Sequence, residues 1–305
     1  MEISKLSKLI TPSGTMAISN KARILREQGK PVIGFGAGEP DFPTPEYVVK
    51  DVQVAAEDTS NHKYSPVAGL TILKEEIVRT SQLYSGINVQ QENILVSNGG
   101  KHAILTTFMS ILNPGDEVLI PSPYWTTYPE AVKISGGNPI IVDTEFDDDF
   151  KVNTEQLDAL KTSKTKILVW VSPSNPTGVV YTKEEAEKIY NWAFENNVWI
   201  LSDELYEHLV YEGMTSPSPA QYDTELNNTI IINGVAKAYS MTGWRVGWII
   251  ANTDVIDMAK KIQSHATSNV SNISQIAAYS ALKNGLNETK IMKESFNRRR
   301  LYAIE

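Results

Sequence analysis

The stretch Thr229-Ile-Ile-Ile-Asn-Gly-Val-Ala-Lys237-Ala-Tyr-Ser-Met-Thr-Gly-Trp-Arg245-Val-Gly-Trp-Ile-Ile250 sets two short apolar runs around one polar connection. Apolar runs of this length, rich in isoleucine, suit strands covered on both faces, and the connection between them is where functional groups collect. Lys237 lies in that connection and Arg245 closes it. A lysine held in a partly dry pocket loses some of its preference for the charged form, which condensation with a carbonyl requires. The planar fork of an arginine suits a phosphate dianion. The segment therefore offers a reactive amine beside a phosphate site.

Outward from it the same alternation continues. Strands are expected at residues 93–97, 117–121, 139–143, 166–172, 198–202, 229–233 and 245–251, with helices at 70–85, 101–112, 183–196, 253–264 and 274–284. Short apolar strands interleaved with helices predict an α/β domain with a mostly parallel sheet flanked by helices. Its ligand site then belongs at the carboxyl ends of the strands. At 305 residues the chain is long enough for about two domains. The N-terminal part, with a short helix expected at 19–28, runs into a proline- and glycine-rich stretch unsuited to a helix, and residues 288–305 are helical in composition but end without a capping signal.

Composition removes several function classes. The net charge of −8 argues against non-specific nucleic-acid binding, which relies on basic surface. With no cysteine there is no disulfide framework or thiolate metal site, and the four histidines lack ligand spacing, so no metal is expected. No signal-like or membrane-spanning apolar run is present, which makes the cytoplasm the expected location. The acidic run Asp147-Asp148-Asp149 reads as a solvated loop.

Four further segments carry candidate chemistry. Gly34-Phe-Gly36-Ala-Gly38 mimics a dinucleotide fingerprint, but Pro40, Pro43 and Pro45 forbid the helix that fingerprint needs, leaving an irregular loop. Ser97-Asn-Gly99-Gly100-Lys101 stands between a strand and a helix. It reads either as a plain tight turn or as an anion cradle in which amides and the helix N-terminus meet a phosphate. Lys101 favours the second reading, because a cation in the first helical turn opposes the helix dipole unless an anion offsets it. Ser172-Pro-Ser-Asn175-Pro-Thr-Gly178 is a dense turn after a strand, with two X-Pro bonds that raise the chance of a cis peptide. Asp203, at the end of Trp199-Ile-Leu-Ser-Asp203-Glu-Leu-Tyr206, taken alone is either a helix N-cap or a functional acid; Tyr206 and Trp125, in Pro121-Ser-Pro-Tyr-Trp125, taken alone are core-edge aromatics.

Together these motifs resemble the class I aminotransferases of fold type I, the pyridoxal 5′-phosphate (PLP) family, over nearly the whole chain. The block Ala236-Lys237-Ala-Tyr-Ser-Met-Thr-Gly-Trp-Arg245 most resembles the bacterial aspartate aminotransferase branch. The resemblance implies that Lys237 anchors PLP and moves a proton. It implies that Asp203 keeps the pyridine nitrogen protonated, and that Tyr206 and Asn175 address the phenolic oxygen, Asn175 also the substrate carboxylate. Trp125 would stack on the ring. Gly99, Gly100, Lys101 and Arg245 would line the cofactor, and Gly38 the substrate side of the pocket. Lys101 would reach a distal substrate carboxylate across a dimer interface, and Tyr64 the phosphate of the neighbouring subunit, making a homodimer with shared sites. The implied reaction is ping-pong transfer of the amino group of an amino acid, L-aspartate first, to 2-oxoglutarate, the cofactor alternating between PLP and pyridoxamine phosphate. Aromatic, alanine and prephenate aminotransferases, carbon–sulfur lyases and a PLP-binding regulatory domain are the alternatives.

The resemblance also implies domain limits: residues 1–45 contribute to a smaller domain, 46–287 form the large PLP-binding domain, and 288–305 begin the C-terminal part of the smaller one. The family continues past this point, so the chain is expected to be C-terminally incomplete. The arginine that clamps the substrate α-carboxylate is expected in that continuation, and without it the 305-residue piece would turn over poorly or act as a non-catalytic fragment.

Overall fold

In a computed structural model, which describes residues 2–36 and 38–305, seven strands form one sheet. In chain order they are β1 (Ile94–Ser97), β2 (Glu117–Pro121), β3 (Asn138–Val142), β4 (Thr165–Val171), β5 (Trp199–Asp203), β6 (Thr229–Gly234) and β7 (Gly247–Ile250). The spatial order is β1-β7-β6-β5-β4-β2-β3. All pairs are parallel except those made by β7, which runs antiparallel to both β1 and β6. Six strands thus point one way and β7 the other, the mostly parallel α/β sheet that the strand–helix alternation predicts.

Alternation along each strand divides the core. Ile94 and Val96 of β1, Ile231 of β6 and Trp248 and Ile250 of β7 join one cluster, whereas Leu95, Ile230, Ile232 and Ile249 join the opposite one. A third cluster continues the core under β4 and β5 through Leu168, Trp170 and Ile200. Successive side chains in a strand point to opposite faces, so a sheet apolar on both faces must be covered twice. Helices α3 (Glu46–Glu57), α4 (Thr71–Thr80) and α10 (Asn272–Asn284) supply the first cover through Val48, Leu73, Ile77, Ala277 and Ala278. On the second face lie α5 (Gly100–Ile111), α6 (Thr127–Ile134) and α9 (Thr253–Ala266). Two remaining helices, α7 (Thr154–Leu160) and α8 (Lys183–Glu195), cover the third cluster.

Several expected bounds move. The helix expected at 70–85 ends its α-helical part at Thr80 and closes through a π turn at Ser81–Ser85 onto Gly86, whose φ of 69° is the left-handed conformation glycine permits. The helix expected at 19–28 starts at Gly14, where the Ser13 hydroxyl accepts the Met16 amide, five residues before the expected start, and a short helix at Lys5–Leu9 precedes it. Strand β7 begins at Gly247, because Arg245 adopts φ 56°. The last helix spans Asn287–Ile304. Asp147 and Asp148 lie in a 3-10 turn and Asp149 follows it. Among the described residues no helix is long and apolar enough to cross a membrane, and no group of three or more His, Asp or Glu side chains is placed to hold a metal.

Candidate active site

The topology gathers the candidate residues on one edge of the sheet. Gly99 and Gly100 follow β1, Trp125 follows β2, Asn175 follows β4, Asp203 ends β5 with Tyr206 three residues on, and Lys237 follows β6. Arg245 precedes β7, but β7 runs backwards, so its start lies at the same edge as the ends of its neighbours. The register places Gly247 opposite both Ser97 and Gly234. This reversal carries the guanidinium to the Gly99 turn. A methyl added at Gly99, which has φ 84°, would stand 2.7 Å from Arg245 Nη2. Arg245 itself holds φ 56°, an uncommon conformation for a side chain of this size, and its Nη1 donates to the Thr242 carbonyl at 2.8 Å.

Asp203 sits at the centre of this edge and is 4% exposed. Its Oδ2 accepts from the Tyr128 hydroxyl at 2.7 Å and its Oδ1 from the Leu205 amide at 3.2 Å, so a capping-type turn bond and a buried functional carboxylate coexist in one residue. Burial pushes its pKa up to about 6, against the lowering effects of the Tyr128 hydroxyl, the Leu205 amide and the Lys237 charge. Lys237 is also largely buried. Desolvation draws its pKa down, opposed by the Glu39 and Asp203 charges and assisted by Arg245. Its Nζ donates to the Gly38 carbonyl and lies 5.6 Å above the Tyr206 ring.

The remaining groups complete the walls. Asn175 Nδ2 donates to the Tyr206 hydroxyl at 3.3 Å, and burial pushes that phenol up to about 12. Lys101 Nζ lies 5.1 Å from the Trp125 ring centroid, with its pKa lowered by desolvation and then by the Arg245 charge. Trp125 packs edge-on against Tyr128 at 5.6 Å. Tyr64 stands apart: it is 89% exposed and, among the described residues, makes no hydrogen bond to this group. In the loop before Gly38, Ala37 lies outside the described residues.

Sequence reasoning missed Tyr128 and Glu39. Tyr128 stands three residues past Trp125, a spacing that shares a face, but its contact with Asp203 spans 75 residues and leaves no local trace. Glu39 accepts from the Thr242 hydroxyl at 2.9 Å and tethers the glycine-rich loop to the Lys237 connection.

Residues 30–305 match the family model for aminotransferase class I and II. The chain belongs to this family. It is 50% identical over 292 residues to an aspartate aminotransferase of Streptomyces avermitilis, covering 95% of this chain and 72% of that protein. An aspartate/prephenate aminotransferase of Cereibacter sphaeroides is 41% identical, over 95% of this chain and 73% of its own length. Among solved structures, aspartate aminotransferase from Thermus thermophilus with maleate superposes with a TM-score of 0.95 at 38% identity, covering 98% of this chain and 78% of that one.

As a member of this family the aminotransferase is PLP-dependent and has fold type I, and its substrates are small amino and 2-oxo acids. The residues present fit the cofactor. Among the described residues the buried Asp203 carboxylate has a phenol and one amide as its hydrogen-bond partners, and a protonated pyridine nitrogen would supply a cation facing it. Likewise the Gly99 turn at the N-terminus of α5, with Arg245 against it, offers amides and a guanidinium to a phosphate.

Proposed function

We propose that this aminotransferase transfers the amino group of L-aspartate to 2-oxoglutarate, with Lys237, Asp203 and Tyr206 as its catalytic residues. The observation that carries the assignment is the meeting, on one sheet edge, of a desolvated lysine, a buried aspartate and an arginine-backed glycine turn. Aspartate as substrate is supported by the similarity to aspartate aminotransferases and by the cation of Lys101 beside Trp125. Prephenate remains the nearest second substrate, since one relative carries both names.

In this assignment Gly99, Gly100, Lys101 and Arg245 hold the phosphate end of PLP, with Tyr64 reaching the cofactor of a second subunit. Trp125 lies against the ring, and Asp203, Asn175 and Tyr206 take its polar atoms. Bound PLP supplies an electron sink that stabilises negative charge at the substrate α-carbon. Lys237 anchors the cofactor and, when displaced by substrate, carries a proton from its Nζ to and from the reacting carbon. Its lowered pKa leaves more of the amine free to accept that proton. Asp203, held in place by the Tyr128 hydroxyl and the Leu205 amide, would present its carboxylate to the ring nitrogen. Asn175 and Gly38 face the substrate, and Lys101 receives its distal carboxylate.

The domain limits belong to the same proposal: residues 1–45 and 288–305 form a smaller unit beside the large domain of 46–287. Two contacts support it. Arg299 donates to Asp41 at 2.8 Å, and Phe42 meets Phe296 edge-on at 5.5 Å, so the two ends of the chain touch each other. A homodimer with shared sites is supported by the exposure of Tyr64 away from the site its own subunit builds. Light scattering that finds only monomer under conditions of full activity would reject it. A cytoplasmic location follows from substrates of this class and is tested by cell fractionation.

The decisive experiment replaces Lys237 with alanine. The variant is expected to lose the visible absorbance of lysine-bound cofactor and to slow by at least about 10²–10⁴-fold; normal turnover with normal absorbance would sink the assignment. Half-reaction rates for aspartate, alanine and phenylalanine then settle the substrate. Aspartate should be fastest, and Lys101→Ala should raise its KM about ten-fold or more beyond any change in the KM of alanine, because loss of the phosphate contact acts on both substrates and loss of the distal carboxylate partner on aspartate. Equal rates for all three amino acids would reject aspartate.

A further inference from the structure

Behind the candidate site, on the other side of the turn that carries Tyr206, lies a small cavity of about 30 Å³. It is polar although it sits inside the core. Glu204, Glu207, His208 and Asn233 line it, together with Tyr84 and Tyr239. Glu204 is 4% exposed, and its Oε1 accepts from the Ser202 hydroxyl at 2.7 Å and the Ser218 hydroxyl at 2.5 Å. Glu207 accepts from Asn233 Nδ2 at 2.6 Å and from the Ser85 hydroxyl at 2.9 Å, with His208 Nε2 at 3.4 Å. Tyr239, also lining the cavity, is 3% exposed, and among the described residues its hydroxyl has no hydrogen-bond partner.

A buried hydroxyl without a partner costs about 1–3 kcal/mol, and native proteins rarely leave one so. An ordered water needs about 10–15 Å³ and two to four polar neighbours, both of which this cavity supplies. Among the described residues no lysine or arginine lines the cavity, so the Glu207 charge acts on Glu204 with the His208 ring, 3.4 Å from Glu207, as the basic group in the lining. Four of these polar members also neighbour a residue of the proposed active site in sequence: Glu204 follows Asp203, Glu207 follows Tyr206, Asn233 precedes Lys237 by four residues, and Tyr239 follows it by two.

We propose that this cavity binds one water molecule between the Tyr239 hydroxyl and a Glu204–Glu207 pair that retains a proton, and that the unit clamps together the segments carrying Asp203, Tyr206 and Lys237. The clamp's importance for catalysis rests on the site roles proposed above. Its existence does not. Glu204 is the group that keeps the proton: burial first, and then the Glu207 charge, pushes it up to about 8, against the Ser218 and Ser202 hydroxyls. The titratable groups around it are Asp203, Glu207 and His208 on its own segment, with Tyr84 from the turn after α4 and Tyr239 from the Lys237 connection. Arg79 and Tyr47 act on Tyr239 from the far side.

Three measurements on the full chain test this, none of them reading activity. A high-resolution crystal structure should show one solvent peak in hydrogen-bonding range of Tyr239 Oη and a glutamate oxygen. An empty cavity, or a metal cation there, overturns the water site. Thermal unfolding of the cofactor-free protein tests the proton. Because Glu204 has a raised folded pKa, its contribution is fully favourable below the ordinary carboxylate range and is lost as pH rises toward about 8. Glu204→Gln keeps the shape of the protonated acid, so its Tm relative to wild type should climb by roughly 10 °C across that window; a constant difference overturns the retained proton. Hydrogen exchange tests the clamp. In Tyr239→Phe, and in Glu207→Gln where it folds, amides of residues 204–209 and of 235–241 should exchange faster together. Acceleration confined to one of the two segments overturns the clamp.

Discussion

At the scale of single residues, the Tyr128–Asp203 bond carries the most consequence. The phenol donates to a buried carboxylate and lowers a pKa that burial has raised to about 6. In Tyr128→Phe that opposition is lost, so the carboxyl should move up by about one unit, equivalent to about 1.4 kcal/mol. Asp203 must be ionised to face a protonated ring nitrogen, so the acid limb of the kcat/KM profile should shift to higher pH by the same amount. An unchanged limb would show that Asp203 does not set it. Asp203→Asn removes the charge itself and should lower kcat/KM by about 10–100-fold at neutral pH, measured by steady-state kinetics. Residues such as Lys237, Arg245 and Asn175 were legible because each stands in a short motif whose chemistry is local. Tyr128 was not, since only the packing of α6 on α5, β2 and β3 brings its hydroxyl to Asp203.

At the scale of elements, the reversed strand β7 places Arg245, the arginine proposed for the phosphate, and Gly247 is what lets it pack. A methyl there would meet Gly100 N at 2.7 Å, Gly99 C at 2.8 Å and Asn233 O at 2.9 Å, all of them backbone atoms that cannot turn aside. Gly247→Ala should therefore cost about 3 kcal/mol and weaken PLP binding, because relief requires β1 and β7 to part where Gly99 and Arg245 meet. Denaturant unfolding and cofactor titration would check both effects; loss of stability with unchanged affinity would contradict the coupling. The strands themselves were visible in the sequence as runs apolar throughout, as strands covered on both faces are. Their direction was not. Nothing local distinguishes a parallel from an antiparallel Gly247–Ile250, and only the short connection around Lys237 forces the chain back beside β6. Helix α3 escaped notice for a different reason: the prolines at 40, 43 and 45 mark a loop, yet Pro45 itself occupies the N-cap of that helix, where a missing amide hydrogen does no harm.

At the scale of the whole molecule, stability and function meet in Asp203. The folded chain holds this carboxyl at about 6, above its value of 3.8 in an ordinary setting. With a raised folded pKa, the favourable contribution is complete below the ordinary value and is lost as pH climbs through the folded one, so the cofactor-free protein should lose stability between about pH 4 and pH 6 on this account. A cation placed against the carboxylate removes that loss. Saturating PLP should consequently raise Tm more near pH 7.5 than near pH 5, by about 2–4 °C for each kcal/mol recovered. Lysine attachment of the cofactor also strengthens as the Lys237 amine loses its proton, so the two effects must be separated. In Lys237→Ala the Asp203 part alone remains and the pH dependence should persist, whereas in Asp203→Asn with Lys237 intact it should shrink to the lysine part. A PLP-induced shift equally large at both pH values in Lys237→Ala would mean that the buried carboxylate does not meet the ring cation, and would remove the physical basis for placing the cofactor's nitrogen at the end of β5.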